Sequence, residues 1–440
     1  MTQDAAKSAE IQGENLGGLW PPHWLLSRLG RTRVQIAGAL LFGVLVPVTL
    51  RWGADLDGWL LPEQITTIVA TTIAITLGLI GLRQLARLPG VEESIYCVPA
   101  LLVSFLLVLA ALLMLRVEYN RYLFPTSFAL TIVWVFVAHA LNRRYRTVRL
   151  AIVPGGEVDT LAAIREVEWL PLDAPTLPKG RLNGLIVDLR QDLDPRWERF
   201  IADCALAGIR IFHVKQIRES LTGRLEITHL SENTLGSINP DALYLKIKQG
   251  VDWILALVAL VLLFPALLLV GLVIRMESPG PAIFRQTRIG FRGRPFQVVK
   301  FRTMHADSEV SGDRRQQAIT RRDDERITRL GRFLRRTRID ELPQLINILR
   351  GEMSWIGPRP EAVPLAQWYE KELSFYRYRH IVRPGISGWA QINQGHVTEV
   401  DQIRDKLHYD FYYIKNFSPW LDVLIAFRTV AIMVSGFGSR

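Results

Sequence analysis

Four long apolar runs follow one another in the first third of the chain, at roughly residues 34–50, 64–82, 96–115 and 123–141. None of these runs contains Asp, Glu, Lys or Arg. Each is close to the ~20 residues that a helix needs to cross the hydrocarbon core of a bilayer. The pattern therefore predicts four transmembrane helices over residues 34–141, preceded by an N-terminal tail of residues 1–33.

Arginines flank this apolar region on both sides. Before the first run stand Arg28, Arg31 and Arg33; after the fourth run stand Arg143, Arg144, Arg146 and Arg149. The loop between the first two runs is mainly acidic, with three acids against Arg51. Because Lys and Arg collect on the cytoplasmic side of membrane helices, both ends of the region are predicted to be cytoplasmic.

The hydrophobic period shortens after Arg149. Short apolar runs at residues 150–153, 184–189 and 209–214 alternate with a helical pattern at residues 195–206. This order predicts a small parallel α/β (Rossmann-like) unit over residues 145–240. The first run ends in Pro154-Gly155-Gly156, which is not G-x-G-x-x-G, so a structural or dimerisation role is favoured over a phosphate site.

A fifth apolar run covers residues 251–274, with Asp252 at its start and Pro265 near its middle. Proline removes a backbone donor and clashes one turn back, so the pattern predicts a kink at Pro265. Basic residues lie on both flanks, among them Lys246, Lys248 and Arg275. The positive-inside bias therefore favours a re-entrant helix that returns to the cytoplasmic side over the alternative, a fifth transmembrane helix.

The chain has 440 residues, of which 49% are hydrophobic, and this excludes a disordered chain. Its two cysteines exclude a disulfide framework. The formal net charge is +11, and because residues 1–245 carry equal numbers of basic and acidic side chains, the whole excess lies in residues 246–440. We find no nucleic-acid recognition motif there, so nucleic acid is not predicted as the partner.

Candidate chemistry is concentrated in this basic region. Cationic side chains beside strand-like residues suit phosphate oxygens; they are Arg285, Arg288, Lys300, Arg302 and Arg326. An acid pair, Asp340 and Glu341, follows and precedes Pro343. The pair fits the start of a helix, and it equally fits a phosphoryl-transfer site in which one carboxylate attacks phosphorus and the other holds a divalent cation. The acids Asp323, Asp324 and Glu325 compete for this role, and the residues alone do not decide.

Several motifs occur in a fixed order in this region: residues 300–304 (KFRTM), 340–344 (DELPQ), 357–360 (GPRP), 383–388 (RPGISG) and the spacing of Asp410 and Tyr413. With them the chain from about Lys246 onward resembles the bacterial sugar transferase family, the monotopic polyprenyl-phosphate phosphoglycosyl transferases. The four apolar runs and the α/β insert look like the long subclass, whose enzymes prime capsule, O-antigen and exopolysaccharide synthesis.

The resemblance implies roles for individual residues. Asp340 matches the nucleophile, and Glu341 matches the partner acid associated with Mg²⁺, so both are expected at the metal. Arg335 and Arg359 match arginines expected to hold phosphates, and Gln344 and Arg383 fall within matched motifs as substrate-binding candidates. Pro265 matches the break of the re-entrant helix, although Phe264 precedes it where the short enzymes often carry serine.

The resemblance also implies a reaction and a place. Asp340 would attack the β-phosphorus of a UDP-sugar, UMP would leave, and the sugar phosphate would pass to undecaprenyl phosphate. UDP-glucose or UDP-galactose is the expected donor, with N-acetylated sugars as the open alternative. A mainly α catalytic domain, residues 246–440, would work at the cytoplasmic face of the bacterial inner membrane, and a homodimer through the α/β part is a further hypothesis. A catalytically idle scaffold or an anionic-lipid-binding protein of a polysaccharide assembly system is the alternative.

Overall fold

The computed structural model describes residues 32–53, 55–85, 94–145, 148–164, 167–178, 182–226, 240–305, 324, 326–394 and 400–435. Most of the predicted tail, and the competing acids Asp323 and Glu325, lie outside these residues. The chain divides into two compact units, Met1–Ile217 and Arg218–Arg440. Within the described residues, five helices are long and apolar enough to cross a membrane by length and composition.

The first unit begins with the predicted apolar helices. They are α1 (Thr32–Leu40), a π-helical turn (Leu41–Leu45), α2 (Val46–Trp52), α3 (Leu56–Trp59), α4 (Pro62–Leu85), α5 (Ser94–Met114) and α6 (Leu123–Tyr145). Helices α4 and α5 approach closely at Gly78, where a Cβ would lie 2.8 Å from the side chains of Leu101 and Ser104. Small residues permit such contacts between membrane helices. The four apolar runs are therefore helical, as predicted.

The rest of this unit is a parallel sheet. Its elements are β1 (Arg149–Ile152), a 3₁₀ helix (Gly156–Ala163), β2 (Glu168–Pro171), β3 (Gly184–Val187), α7 (Pro195–Leu206), β4 (Ile211–His213) and α8 (Val214–Thr222), which continues into the second unit. The strand order is β2-β1-β3-β4, and all pairs are parallel. Buried apolar side chains of β1 and β3 form its core with Cys204 of α7. The predicted α/β unit is thus present, with β2 as an additional strand.

The second unit is mainly helical around two small sheets. Its elements are α9 (Ala242–Glu277), β5 (Ile283–Ile289), β6 (Pro295–Phe301), α10 (Arg329–Arg336), a 3₁₀ helix (Ile339–Gln344), α11 (Leu345–Leu349), β7 (Ser354–Ile356), α12 (Val363–Glu372), a second 3₁₀ helix (Tyr376–Ile381), β8 (Gly385–Ser387), α13 (Trp389–Asn393), α14 (Val400–Lys415) and α15 (Pro419–Ser435). Strands β5 and β6 form an antiparallel hairpin, and β7 pairs with β8 in parallel.

Helix α9 differs from the sequence prediction at Pro265. The 36 residues Ala242–Glu277 are helical throughout, with Pro265 inside the helix. The helix–break–helix expected here is therefore corrected to one continuous helix, and the kink predicted at Pro265 stays a prediction. A proline can be accommodated in this way because it removes one hydrogen bond while the rest of the i→i−4 ladder persists. Whether α9 dips into the bilayer and returns stays a prediction.

Buried polar side chains fix the N-terminal half of α9 to the second unit. Lys248 Nζ lies 2.8 Å from Asp422 Oδ2 of α15 and 3.4 Å from Asp252 Oδ2. Asp422 also accepts hydrogen bonds from the hydroxyls of Tyr244 (2.6 Å) and Tyr413 (2.8 Å). Because buried charges need partners, this cluster allows a single depth and rotation of α9 against α14 and α15.

Apolar contacts extend the attachment along the same helix. Ala256 packs with Phe296 and Val298 of the hairpin and with Leu345 of α11. Further along, Ile274 packs with Phe301 and with Leu334 of α10. The strand and the helices that carry the candidate residues are thus built directly onto α9.

Candidate active site

The acid pair lies on the 3₁₀ helix between α10 and α11. Helix α10 is capped by Thr328, whose Oγ1 accepts a hydrogen bond from Gly331 N at 2.9 Å. Gly331 lies against the end of β6, where a Cβ would be 2.2 Å from the carbonyl oxygen of Thr303. This close approach brings Arg335 Nε within 2.8 Å of Thr303 Oγ1. Arg338 then adopts a left-handed conformation, with φ of 56°, and turns the chain into the acid pair.

Glu341 is the centre of a cluster of cations. Its Oε1 accepts hydrogen bonds from Lys300 Nζ of β6 at 3.1 Å and from Arg359 Nη2 at 2.7 Å. Arg338 Nη1 is 3.7 Å from its other oxygen, Oε2. Burial would raise the pKa of Glu341, but Arg359 and Lys300 outweigh that effect and hold the pKa below its usual range. Glu341 is therefore ionised at neutral pH.

Asp340 is half-buried beside this cluster and has a different environment. No hydrogen bond or ion pair from the described residues occupies its carboxylate. Burial, reinforced by the charge of Glu341, raises the pKa of Asp340 to about 6, against the opposing effects of Lys300 and Arg359. Two adjacent carboxyl groups thus differ in role: Glu341 is fixed by partners, whereas Asp340 remains available and basic enough to act as a nucleophile.

The cations around the pair are themselves removed from water. Burial lowers the pKa of Lys300 to about 8, although Glu341 opposes the shift. Burial also lowers the pKa of Arg335, with Asp340 opposing it. Arg288 joins the group from β5, and burial together with Arg359 lowers its pKa to about 10. Several desolvated cations around an acid pair create a site of positive potential suited to phosphate groups.

The structure thus brings together most of the predicted residues: Asp340, Glu341, Lys300, Arg288, Arg335 and Arg359. Gln344 is buried at the end of the same 3₁₀ helix. Arg285 is exposed on β5.

Three predicted phosphate-binding arginines form hydrogen bonds with other parts of the protein. Arg302 is buried and donates to the carbonyls of Ser278 and Pro279, at 2.7 and 2.6 Å, closing the turn after α9. Arg326 forms a two-pronged pair with Asp324, at 2.7 and 2.5 Å. Arg383 donates to the Gly351 carbonyl and to Gln249 of α9, and its guanidinium stacks on a phenylalanine ring. Their predicted substrate contacts stay predictions.

Sequence reasoning missed a buried ionic cluster next to Arg359. It consists of Glu361, Arg379, Lys406 and Asp410, and the pairs within it include Arg379 with Asp410 at 2.8 Å and Lys406 with Glu361. Burial would raise the pKa of Glu361, but Lys406 and Arg379 lower it to about 2. The available signal was the position of Glu361 directly after residues 357–360 and of Asp410 in the recognised spacing.

The acid pair fits a magnesium ion on the chemistry of its oxygen atoms. Oε2 of Glu341 is buried without a hydrogen-bond partner. Mg²⁺ commonly uses only one or two carboxylates and completes its coordination with water and substrate phosphates. Within the described residues there is no group of three or more His, Cys, Asp or Glu side chains that could hold a metal. A site built here would therefore need oxygen ligands beyond the protein's own carboxylates.

Comparison with known proteins supplies the class. The profile of the family described as "Bacterial sugar transferase" matches residues 243–436. A UDP-N-acetylgalactosamine-undecaprenyl-phosphate N-acetylgalactosaminephosphotransferase of Aeromonas hydrophila is 43% identical over 404 residues, which are 92% of this chain and 94% of that protein. A UDP-glucose:undecaprenyl-phosphate glucose-1-phosphate transferase of Xanthomonas campestris pv. campestris is 43% identical over 46% of this chain and 41% of its own length.

A shorter relative is also informative. The exopolysaccharide production protein PSS of Rhizobium leguminosarum bv. phaseoli is 43% identical over 42% of this chain and 94% of its own length.

The chain belongs to the bacterial sugar transferase family. It is an enzyme of the polyprenyl-phosphate phosphoglycosyl transferase type, and it is a membrane protein.

Proposed function

We propose that this protein transfers a sugar 1-phosphate from a UDP-sugar to undecaprenyl phosphate and releases UMP, through a covalent intermediate on Asp340. The observation that carries the proposal is the pairing of a half-buried Asp340, to which no described residue donates a hydrogen bond, with a Glu341 fixed by Lys300 and Arg359. The names of the relatives supply the two substrates.

The first half of the reaction uses Asp340 as the nucleophile. A carboxylate oxygen of Asp340 attacks the β-phosphorus of the UDP-sugar, and the bond between that phosphorus and the bridging oxygen breaks. UMP leaves with the bridging oxygen, and an acyl phosphate joins Asp340 to the sugar. Arg359, Lys300 and Arg335 surround the acid pair and would offset the charge that develops on the phosphate oxygens.

The second half releases the enzyme. A phosphate oxygen of undecaprenyl phosphate attacks the same phosphorus, the acyl phosphate bond breaks, and the carboxylate of Asp340 is restored. The lipid product carries a diphosphate and the sugar. Glu341, with Asp340, would hold Mg²⁺, which when bound supplies charge neutralisation at the phosphates. This reaction would be the first membrane step of exopolysaccharide, capsule or O-antigen synthesis.

The donor sugar is proposed to be N-acetylgalactosamine. The relative that matches both units of this chain carries that sugar in its name, whereas the glucose-1-phosphate transferase matches less than half of the chain. This choice differs from the glucose or galactose that the family resemblance implies, and it falls within the N-acetylated alternative. If UMP were released faster from UDP-glucose or UDP-galactose than from UDP-N-acetylgalactosamine, the donor would be assigned to glucose or galactose.

The location is proposed to be the bacterial inner membrane, with the second unit on the cytoplasmic face. UDP-sugars are water-soluble and undecaprenyl phosphate is a lipid, so the site must meet both phases. The basic flanks of the apolar helices favour the cytoplasmic side.

The test is UMP release by the purified protein in detergent with Mg²⁺ and undecaprenyl phosphate, using a panel of UDP-sugars. We expect Asp340→Asn to abolish UMP release, because an amide is not a nucleophile toward phosphorus at neutral pH. Without the lipid acceptor, wild-type protein should retain radiolabelled sugar through denaturation and release it on treatment with hydroxylamine, which cleaves acyl phosphates.

The matched control is Asp324→Asn, which makes the same change at an acid that is already paired with Arg326. This variant should keep UMP release and the covalent label. Turnover by Asp340→Asn together with loss in Asp324→Asn would assign the nucleophile to the other acid cluster.

A further inference from the structure

Four consecutive backbone carbonyls beside the acid pair are each held by a hydrogen bond. We call residues 358–361 the carbonyl strap. Its carbonyls accept, in chain order, from Gly385 N at 3.0 Å, Arg379 Nη2 at 2.9 Å, Arg288 Nη1 at 2.6 Å and Ile289 N at 3.1 Å. The strap is therefore fixed from two sides, by the hairpin and by the segment that leads into β8.

The composition of the strap explains why it is held mainly through its carbonyl groups. Pro358 and Pro360 have no N–H group, so half of the residues of the strap cannot donate a backbone hydrogen bond to a neighbouring segment. Two of the four donors are arginine side chains rather than backbone groups. The conformation of the strap thus depends on Arg288 and Arg379 in addition to strand pairing.

Arg379 is the more constrained of these two arginines. It is 4% exposed, and its guanidinium donates to Asp410 Oδ2 through Nε (3.1 Å) and to the Tyr376 hydroxyl through Nη1 (2.7 Å). Asp410 of α14 is 1% exposed. A buried carboxylate therefore orients a buried guanidinium, whose Nη2 lies 2.8 Å from Asp410 Oδ2 and also donates to the carbonyl of Arg359.

That carbonyl belongs to the residue whose side chain reaches the acid pair. Arg359 Nη2 donates to Glu341 Oε1 at 2.7 Å. A rotation of the strap would move the Arg359 guanidinium relative to Glu341, because side chain and carbonyl share one backbone. Among the described residues no hydrogen bond joins Arg379 to either acid, so the hydrogen-bonded route from Arg379 to the pair runs through Arg359.

We propose that Arg379, oriented by Asp410, is a positioning residue that fixes the carbonyl strap so that the Arg359 side chain meets Glu341 and the donor's phosphates. The inference rests on the proposed function, since it assigns Arg359 to the reaction. It gives the buried ionic cluster a role in catalysis in addition to its role in the core.

The test compares Arg379→Lys with Arg224→Lys. Lysine keeps the charge but cannot reach Asp410, Tyr376 and the Arg359 carbonyl together. Arg224 is the matched control, since it also pairs with an aspartate (Asp405, 3.3 Å) and stacks on a tyrosine ring, and among the described residues it makes no contact with the strap. We expect Arg379→Lys to slow covalent labelling by UDP-sugar about 10- to 100-fold, and Arg224→Lys to leave the rate unchanged.

A double-mutant cycle separates positioning from general stability. If Arg379 acts through Arg359, the variant carrying both Arg359→Lys and Arg379→Lys labels no more slowly than Arg359→Lys alone. The proposal would be overturned if the rate loss of the double variant equalled the product of the two single losses. It would also be overturned if Arg379→Lys labelled at the wild-type rate. Asp410→Asn, which keeps an acceptor oxygen and nearly the same shape, should slow labelling in the same non-additive way even if the lysine variant folds poorly. Loss of labelling in the wild-type protein would instead refute the proposed function.

Discussion

Asp340 and Glu341 are chain neighbours that the fold places in contrasting environments. Glu341 is surrounded by Lys300, Arg359 and Arg338, whereas Asp340 has no hydrogen-bond partner among the described residues. The pKa values move in opposite directions, because burial dominates at Asp340 and the cations dominate at Glu341. Such divergence is the usual way in which two identical groups acquire different tasks.

The two shifted groups define a pH profile for covalent labelling by UDP-sugar. Asp340 must be ionised to attack, and its pKa is raised to about 6, so the rate should fall about tenfold per pH unit below that value. Lys300 must be charged to hold Glu341, and its pKa is lowered to about 8, so the rate should fall again above pH 8. The measurement is single-turnover labelling between pH 5 and pH 9 at constant ionic strength.

Lys300→Arg serves as the control for the alkaline side, because arginine stays charged throughout this range. The variant should lose the decline above pH 8 and keep the decline below pH 6. A rate that is independent of pH from 5 to 7 would contradict the role given to Asp340.

At this scale the motifs mark the acid pair and Arg359 as candidate residues. The sequence does not predict which cations reach the pair. Arg302 and Arg383 lie in equally recognisable motifs, yet they bind backbone carbonyls far along the chain. Side-chain partners depend on which segments the fold places together, and a linear pattern carries little of that information.

The hairpin and several helices of the second unit pack against helix α9. Its two halves differ in chemistry: the N-terminal half carries the buried Lys248 and Asp252, and the part after Pro265 is uncharged until Arg275. The sequence predicts the length and apolar character of the helix well, because both are properties of a continuous run. Its polar attachment could not be predicted, since Asp422 and Ser354 are distant in the chain.

Removing the lysine of this attachment should be strongly destabilising. Lys248→Met leaves Asp422 and Asp252 buried without their cation, and breaking one side of a buried ion pair costs about 3–5 kcal/mol. The exposed Lys246 provides the control, and Lys246→Met should change the stability by less than about 0.5 kcal/mol. Thermal unfolding in detergent measures both variants, and similar melting temperatures would refute a role for the cluster.

The four strands of the parallel sheet differ in how well the sequence predicts them. The strands β1, β3 and β4 were predicted within a few residues, because buried parallel strands are continuous apolar runs. The strand β2 (Glu168–Pro171) was missed, because its residues are exposed or half-buried and its sequence, EWLP, has no such pattern. Exposure rather than edge position explains the missing signal, because β4 is also an edge strand and yet has a buried residue within an apolar run.

At the scale of the whole molecule, a short relative matches less than half of the chain. The protein of Rhizobium leguminosarum bv. phaseoli matches 42% of this chain over 94% of its own length. The second unit nevertheless begins before the family match at residue 243, because residues 218–226 pack within it. Glu219 pairs with Lys415 at 2.7 Å, and the backbone N of Leu225 donates to the His408 carbonyl at 3.0 Å.

This boundary leads to a prediction for truncated proteins. A protein that starts at residue 214 should be more stable than one that starts at residue 240, because only the former retains the buried Leu225 and its neighbours. The apolar side chain alone accounts for about 2 kcal/mol. Both should release UMP if the second unit holds the whole site. Equal melting temperatures for the two would show that residues 218–226 do not belong to this unit.

The attachment of α9 also has a consequence for how the protein is made. Lys248 leaves the ribosome 174 residues before Asp422, its partner across the unit. Asp252 of the same helix is already present, but at about 5–20 residues per second the helix waits roughly 10–35 s for its second carboxylate, Asp422. During translation the charged half of α9 must therefore remain in contact with water while the apolar half is already competent to enter the bilayer. Insertion of this helix is thus expected to be completed in two stages, the second of which begins only when α15 has been synthesised.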